Sequence, residues 1–177
     1  MTTKALVVLS VGAAMWGICA ASGADLYDEG VLAVVCDSTN VFNTKESGSE
    51  GSVYPDLLRH VREAKGRVVV TSFASNAARL QTLANVARET GRKLCVAGRS
   101  LNRILTVAQA TGYLKNLPEM VEMDAIDNHP RNQVLVIATG GQGEARAALA
   151  RIADNSHPIK VDENDTIIFS SKQIPGN

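Results

Sequence analysis

Short, β-branched, apolar runs recur along this chain between stretches of helical spacing, and glycines stop the helices. The runs are Val31-Leu-Ala-Val-Val-Cys36, Arg67-Val-Val-Val-Thr71, Lys93-Leu-Cys-Val-Ala97, Val134-Leu-Val-Ile-Ala138 and Thr166-Ile-Ile-Phe-Ser170. Runs this short, apolar on consecutive positions, suit strands buried on both faces. Between them Leu57, Leu58, Val61 and Ala64 repeat at helical spacing and stop at Gly66. A second helix, capped by Ser75 or Asn76, runs to about Thr90 and stops at Gly91. A third is capped by Ser100 and ends before Gly112, and the turn Gly140-Gly-Gln-Gly143 opens an alanine-rich helix through Ala153. Residues 41–53 are polar, contain Gly48 and Gly51, and read as a loop; residues 114–132 are mixed, punctuated by Pro118 and Pro130. Apolar strands separated by helices predict an α/β fold, three-layer, with a mostly parallel sheet and helices on both faces.

The chain has 177 residues, 45% hydrophobic and 20% charged, which allows one core and excludes a disordered chain or a polytopic membrane protein. Cys19, Cys36 and Cys95 are too few and too scattered for a disulfide framework or a four-thiolate zinc site. Cys36 and Cys95 read as buried strand residues. The body of the chain therefore suits a reducing compartment. Residues 1–25 stand apart. Lys4 is followed by an apolar run at 5–21 and a small-residue exit before Asp25, the outline of a secretory signal. The run is short for a membrane span, which needs about 20 residues. A buried strand or helix, or a gene-start artefact, fits the same residues.

Net charge is zero, yet residues 57–115 hold eleven basic residues against Glu63 and Glu89, a net of +9 balanced by −9 over the rest. This asymmetry points to a polyanionic partner, or else to arginines that pair with acids elsewhere in the fold. Ligands of open parallel sheets bind at the carboxyl ends of the strands. Those ends carry Asp37, then Ser72, Phe73, Ala74, Ser75 and Asn76, then Gly98, Arg99 and Ser100, and finally Thr139, Gly140, Gly141, Gln142 and Gly143. Free backbone N–H groups at helix starts, with hydroxyls and Arg99, suit a phosphate; ordinary capping explains the same residues. The glycine spacing at 140–143 is not that of a dinucleotide fingerprint, and neither a P-loop nor a nucleophile elbow is present. His60, His129 and His157 are too far apart for a close pair of metal ligands, and Asp37 is a single candidate ligand or an Asx turn.

Together these motifs resemble the bacterial ribonuclease J family over residues 26–177. The resemblance rests on the runs 29–40 and 66–76 with Arg79 and Gln81, then 91–93, 98–100, 112–114, 138–144 and 170–177, in order and at matching spacing. It implies a β-CASP-like fold from about residue 51, preceded at 26–50 by the last part of a metallo-β-lactamase-type domain. In that family it implies a zinc-dependent RNA hydrolase, 5′-to-3′ exonuclease and endonuclease, cytoplasmic and often dimeric. Asp37 matches an aspartate that bridges two metals. Ser72, Phe73, Ala74, Ser75, Asn76, Arg79, Gly98, Arg99 and Ser100, with Thr139 to Gly143, match surfaces that hold single-stranded RNA and its 5′ phosphate.

The departures concern the metal. The family's His-x-His-x-Asp-His motif is absent upstream of Asp37, and its later Ser-Gly-His and His-Gly-Glu motifs are absent too. Gly141 stands where the family commonly has serine, which removes a hydroxyl. The expectation is an RNA-binding β-CASP portion that lacks hydrolysis and bound zinc as this chain, with no membrane partner unless residues 5–21 are an anchor. A truncated gene product without activity and a phosphate- or nucleotide-binding α/β module are the alternatives.

Overall fold

The computed structural model describes residues 49–171 and, before them, the strands at 5–8 and 31–35. The chain divides into two compact units, Met1–Gly48 and Ser49–Asn177. In the first, β1 (Ala5–Val8) pairs in parallel with β2 (Val31–Val35), the register shifting between Ala5 and Leu6. The expected strand at 31–36 thus forms, and part of the apolar run at 5–21 is its partner strand. Cys36 and Asp37 lie outside the described residues, as does the rest of the signal-like run.

The second unit opens with α1 (Glu50–Glu63), which starts well before Leu57, inside the expected loop. Local capping is the reason. Ser49 Oγ accepts from the Ser52 N–H at 3.2 Å, Ser52 Oγ donates to the Ser49 carbonyl at 2.6 Å, and Glu50 sits in the first turn where the helix dipole favours an acid. Pro55 lies within the helix, and the carbonyl that its missing N–H would have met belongs to the exposed Gly51. After α1 come β3 (Val68–Thr71), α2 (Ala77–Glu89), β4 (Lys93–Ala97) and α3 (Arg99–Ala110). Two 3₁₀ turns, Met123–Asn128 and Arg131–Gln133, lead to β5 (Val134–Ala138), α4 (Ala148–Ala153) and β6 (Thr166–Phe169).

The four strands of this unit form one all-parallel sheet in the order β4-β5-β3-β6. Strand side chains alternate between faces, so consecutive apolar residues feed two cores. Val68, Val70, Leu94, Val96, Leu135 and Ile137 pack under α1, α2 and α3. Val69, Cys95, Val136 and Ala138 pack with Ile126, Leu149, Ile152 and Ile159 on the opposite face. The three layers are therefore unequal: the long helices share one face, and the other is closed by α4 and the first 3₁₀ turn.

Two expectations are corrected. Ser100 is the second residue of α3, whose N-cap is Gly98 with no side-chain cap. Gly98 has φ +140, and a Cβ there would come 2.9 Å from Thr139 Cγ2, so backbone conformation and close approach both demand glycine. The 140–143 turn does not open a helix directly either, since α4 begins at Ala148.

Charged groups lock the amino ends of the strands. Buried Arg92 donates to the carbonyls of Val61, Ala64 and Gly66 at 3.1, 2.7 and 2.8 Å, and burial lowers its pKa. Arg67, also buried, donates to Asp127 at 3.0 Å and to the Lys160 carbonyl at 3.2 Å. Its backbone N–H meets Asp165 Oδ1 at 2.8 Å, and Arg131 grips the same carboxylate.

Candidate nucleic-acid interface

The order of the strands fixes where a ligand can sit. From β3 the chain passes over β5 to reach β4, through α2 on the face with the long helices. From β5 it passes over β3 to reach β6, through α4 on the other face. Neighbouring strands β3 and β5 thus send their connections opposite ways, which opens a crevice at their carboxyl ends, the usual ligand position of an open parallel sheet.

A cavity of about 680 Å³ lies there. Ser72, Phe73 and Ala74 line it after β3, Gly98, Arg99 and Ser100 after β4, and Thr139 after β5. The structure thus gathers expected residues from three loops into one wall. Ser72 is held by its N–H to the Ala138 carbonyl at 3.0 Å, and its hydroxyl donates to the Phe73 carbonyl at 3.3 Å. The Phe73 ring is 38% exposed beside it. Arg99 and Ser100 are exposed at the start of α3, whose first N–H groups have no side-chain cap.

Other expected residues sit elsewhere, for identifiable reasons. Asn76 Oδ1 caps α2 by accepting from the Arg79 N–H at 2.9 Å. The Arg79 guanidinium is largely buried, bonded to both carboxylate oxygens of Glu50 and to Ser170, and ties α1 to the end of β6. Thr139 Oγ1 accepts from Ala148 N–H at 3.0 Å and its carbonyl from Leu149 N–H at 2.9 Å, so the start of α4 is already satisfied. Ser75, Gly140, Gly141, Gln142 and Gly143 do not line this cavity. The Gln142 N–H meets Glu144 Oε2 at 3.0 Å, a carboxylate where an anion was expected. Gly141 packs against Thr71 and Ser171, and its carbonyl accepts from Ser171 Oγ at 2.8 Å.

The far wall contains residues that sequence reasoning missed. Arg146, Arg151 and His157 complete it, with Glu144 as the single acid. Together with Arg99 they make the cavity net positive. Their signal was faint: Arg146 follows a glycine turn closely, while Arg151 and His157 enter only because α4 folds back over β5. His157 is 6% exposed, and its Nδ1 accepts from the Ile159 N–H at 3.2 Å. Burial, then Arg151 and Lys160, push its pKa down, so the ring is neutral with its proton on Nε2.

Much of the charge of the +9 segment is paired with acids. Arg59 pairs with Asp56, Arg62 with Glu89, Arg67 with Asp127, Arg79 with Glu50 and Lys93 with Glu119. Arg99 and Arg103 pair with no acid among the described residues.

The family model for the ribonuclease J β-CASP domain matches residues 65–177. The chain belongs to the ribonuclease J β-CASP family. It is 42% identical over 151 residues to ribonuclease J of Sinorhizobium meliloti, covering 85% of this chain and 27% of that protein. It is 44% identical over 153 residues to ribonuclease J of Corynebacterium glutamicum, covering 85% and 21%. Ribonuclease J 1 of Streptococcus pyogenes is 41% identical over 157 residues, covering 87% and 28%. The chain therefore spans about a quarter of the length of these curated relatives.

Among the described residues no three His, Cys, Asp or Glu side chains lie close enough to hold a metal ion, and Asp37 lies outside those residues. Buried Cys95 has its pKa pushed up to about 11 by desolvation, which makes it a poor nucleophile at neutral pH. No described helix is long and apolar enough to cross a membrane.

Proposed function

We propose that this chain is the RNA-binding β-CASP part of a ribonuclease J-type RNA hydrolase. Its cavity at the carboxyl ends of β3, β4 and β5 holds the sugar-phosphate backbone of single-stranded RNA. The observation that carries the reading is Arg99, unpaired with any described acid, above the uncapped amino end of α3 in a net-positive concavity. Free N–H groups and the helix dipole favour an anion there, and the guanidinium adds charge-assisted hydrogen bonds. Phe73 offers a face on which a base can stack. Hydrolysis belongs to the family; this chain by itself is read as binding RNA in the cytoplasm without cleaving it. The family reading also carries a homodimer, which the mass in solution would check.

Fluorescence anisotropy with a labelled, 5′-monophosphorylated single-stranded RNA tests the proposal. Affinity should fall as salt rises, with a log–log slope of about −0.7 for each phosphate held. Arg99→Ala should weaken binding about tenfold, as loss of a charged hydrogen bond does. Binding that is absent, or indifferent to both salt and Arg99, would refute it.

A further inference from the structure

A second concavity, of about 620 Å³, adjoins the first and shares Ala74, Arg99 and Ser100 with it. It adds Ser75, Arg103 and Ile104, so it extends from the strand ends along the outer surface of α3. Arg99 and Arg103 are four residues apart on that helix, hence on one face and about 6 Å apart along its axis. That rise is comparable to the step between neighbouring phosphates of an extended single strand. Arg103 is exposed and, like Arg99, forms no ion pair among the described residues. Both lack the carboxylate partner that Arg59, Arg62, Arg67 and Arg79 each have, and both line this concavity. Ile104 adds an apolar, partly buried floor between the charged rim and the helix.

We infer that this groove is an exit track for the RNA strand, in which Arg103 holds a phosphate next to the one on Arg99. The inference rests on the reading of the first cavity as an RNA site. It assigns to α3 a role in how many nucleotides are held, separate from how the first phosphate is captured. Positive charge in a groove that continues a polyanion site selects an extended polyanion over a small phosphate ligand.

The test compares a nucleoside 5′-monophosphate, which carries a single phosphate, with a single-stranded RNA of about ten nucleotides, within the range of single-strand site sizes. The full chain, Arg99→Ala, Arg103→Ala and Arg103→Lys are each titrated at several salt concentrations. Arg99→Ala should weaken both ligands. Arg103→Ala should leave the mononucleotide unchanged, weaken the longer RNA several-fold and flatten its salt slope by about 0.7. Arg103→Lys, which keeps the charge, should restore that slope. Equal effects of Arg103→Ala on both ligands, or no effect on either, overturn the exit track while Arg99 still matters. Failure of the unaltered chain to bind either ligand overturns the first reading, and this one with it.

Discussion

Arg79 and Arg99 both follow a strand of this sheet closely, yet their environments give them opposite roles. Arg79 lies inside α2, where Glu50 and Ser170 consume its donors. Arg99 opens α3 with its side chain on the cavity. Asp165 shows how strongly surroundings act on one carboxylate. Its side chain is 1% exposed, and burial raises its pKa. The Arg131 hydrogen bond, the N–H groups of Arg67 and Asp162 and the Arg131 charge outweigh that and hold it below the ordinary carboxylate value. A carboxylate depressed in the folded state stabilises it above its unfolded pKa, about 3.9, and that contribution is lost as pH falls through the folded value. Asp165→Asn should therefore lower stability by about 2–3 kcal/mol at pH 7 in urea titrations, with the gap to the unaltered chain closing below about pH 4. A gap that persists unchanged at acid pH would locate the loss in packing instead.

The junctions between elements carry the site. Thr139 is the hinge of two of them, since it caps α4 and fills the space against Gly98. Thr139→Val keeps the shape and removes the cap, and should lower stability by about 1 kcal/mol in chemical denaturation. Gly98→Ala should do more, about 2–3 kcal/mol, and should also impair RNA binding, because the strained backbone would shift the start of α3. Strands were legible in the sequence because burial on both faces leaves uninterrupted apolar runs; β4 and β5 occupy the residues expected of them. Helix ends were less legible. Asn76 caps α2 as its residue type suggests, but Ser100 does not cap α3, and Ser49 starts α1 in a stretch whose glycines read as loop. Several residue types can cap, and the surrounding fold chooses which one does.

Over the whole molecule, the sheet is protected unevenly. β3 and β5 are central and fully buried, whereas β6 pairs on one side with β3 and shows Ile167 and Phe169 40% and 62% exposed. Amide hydrogen exchange should find Val69 and Val136 among the slowest groups and the amides of β6 faster by at least about tenfold. Comparable protection across all four strands would show that β6 is covered in solution. The sequence by itself determined the α/β class, the positions of the strands and the three loops that face the cavity, because burial and turn chemistry act on neighbouring residues. Tertiary structure alone decided which charges remain available. Glu50 reaches Arg79 and Asp127 reaches Arg67 only once the chain has folded. A Coulombic partner is set by distance in space, so a +9 segment becomes a few outward-facing arginines, Arg99 and Arg103 among them.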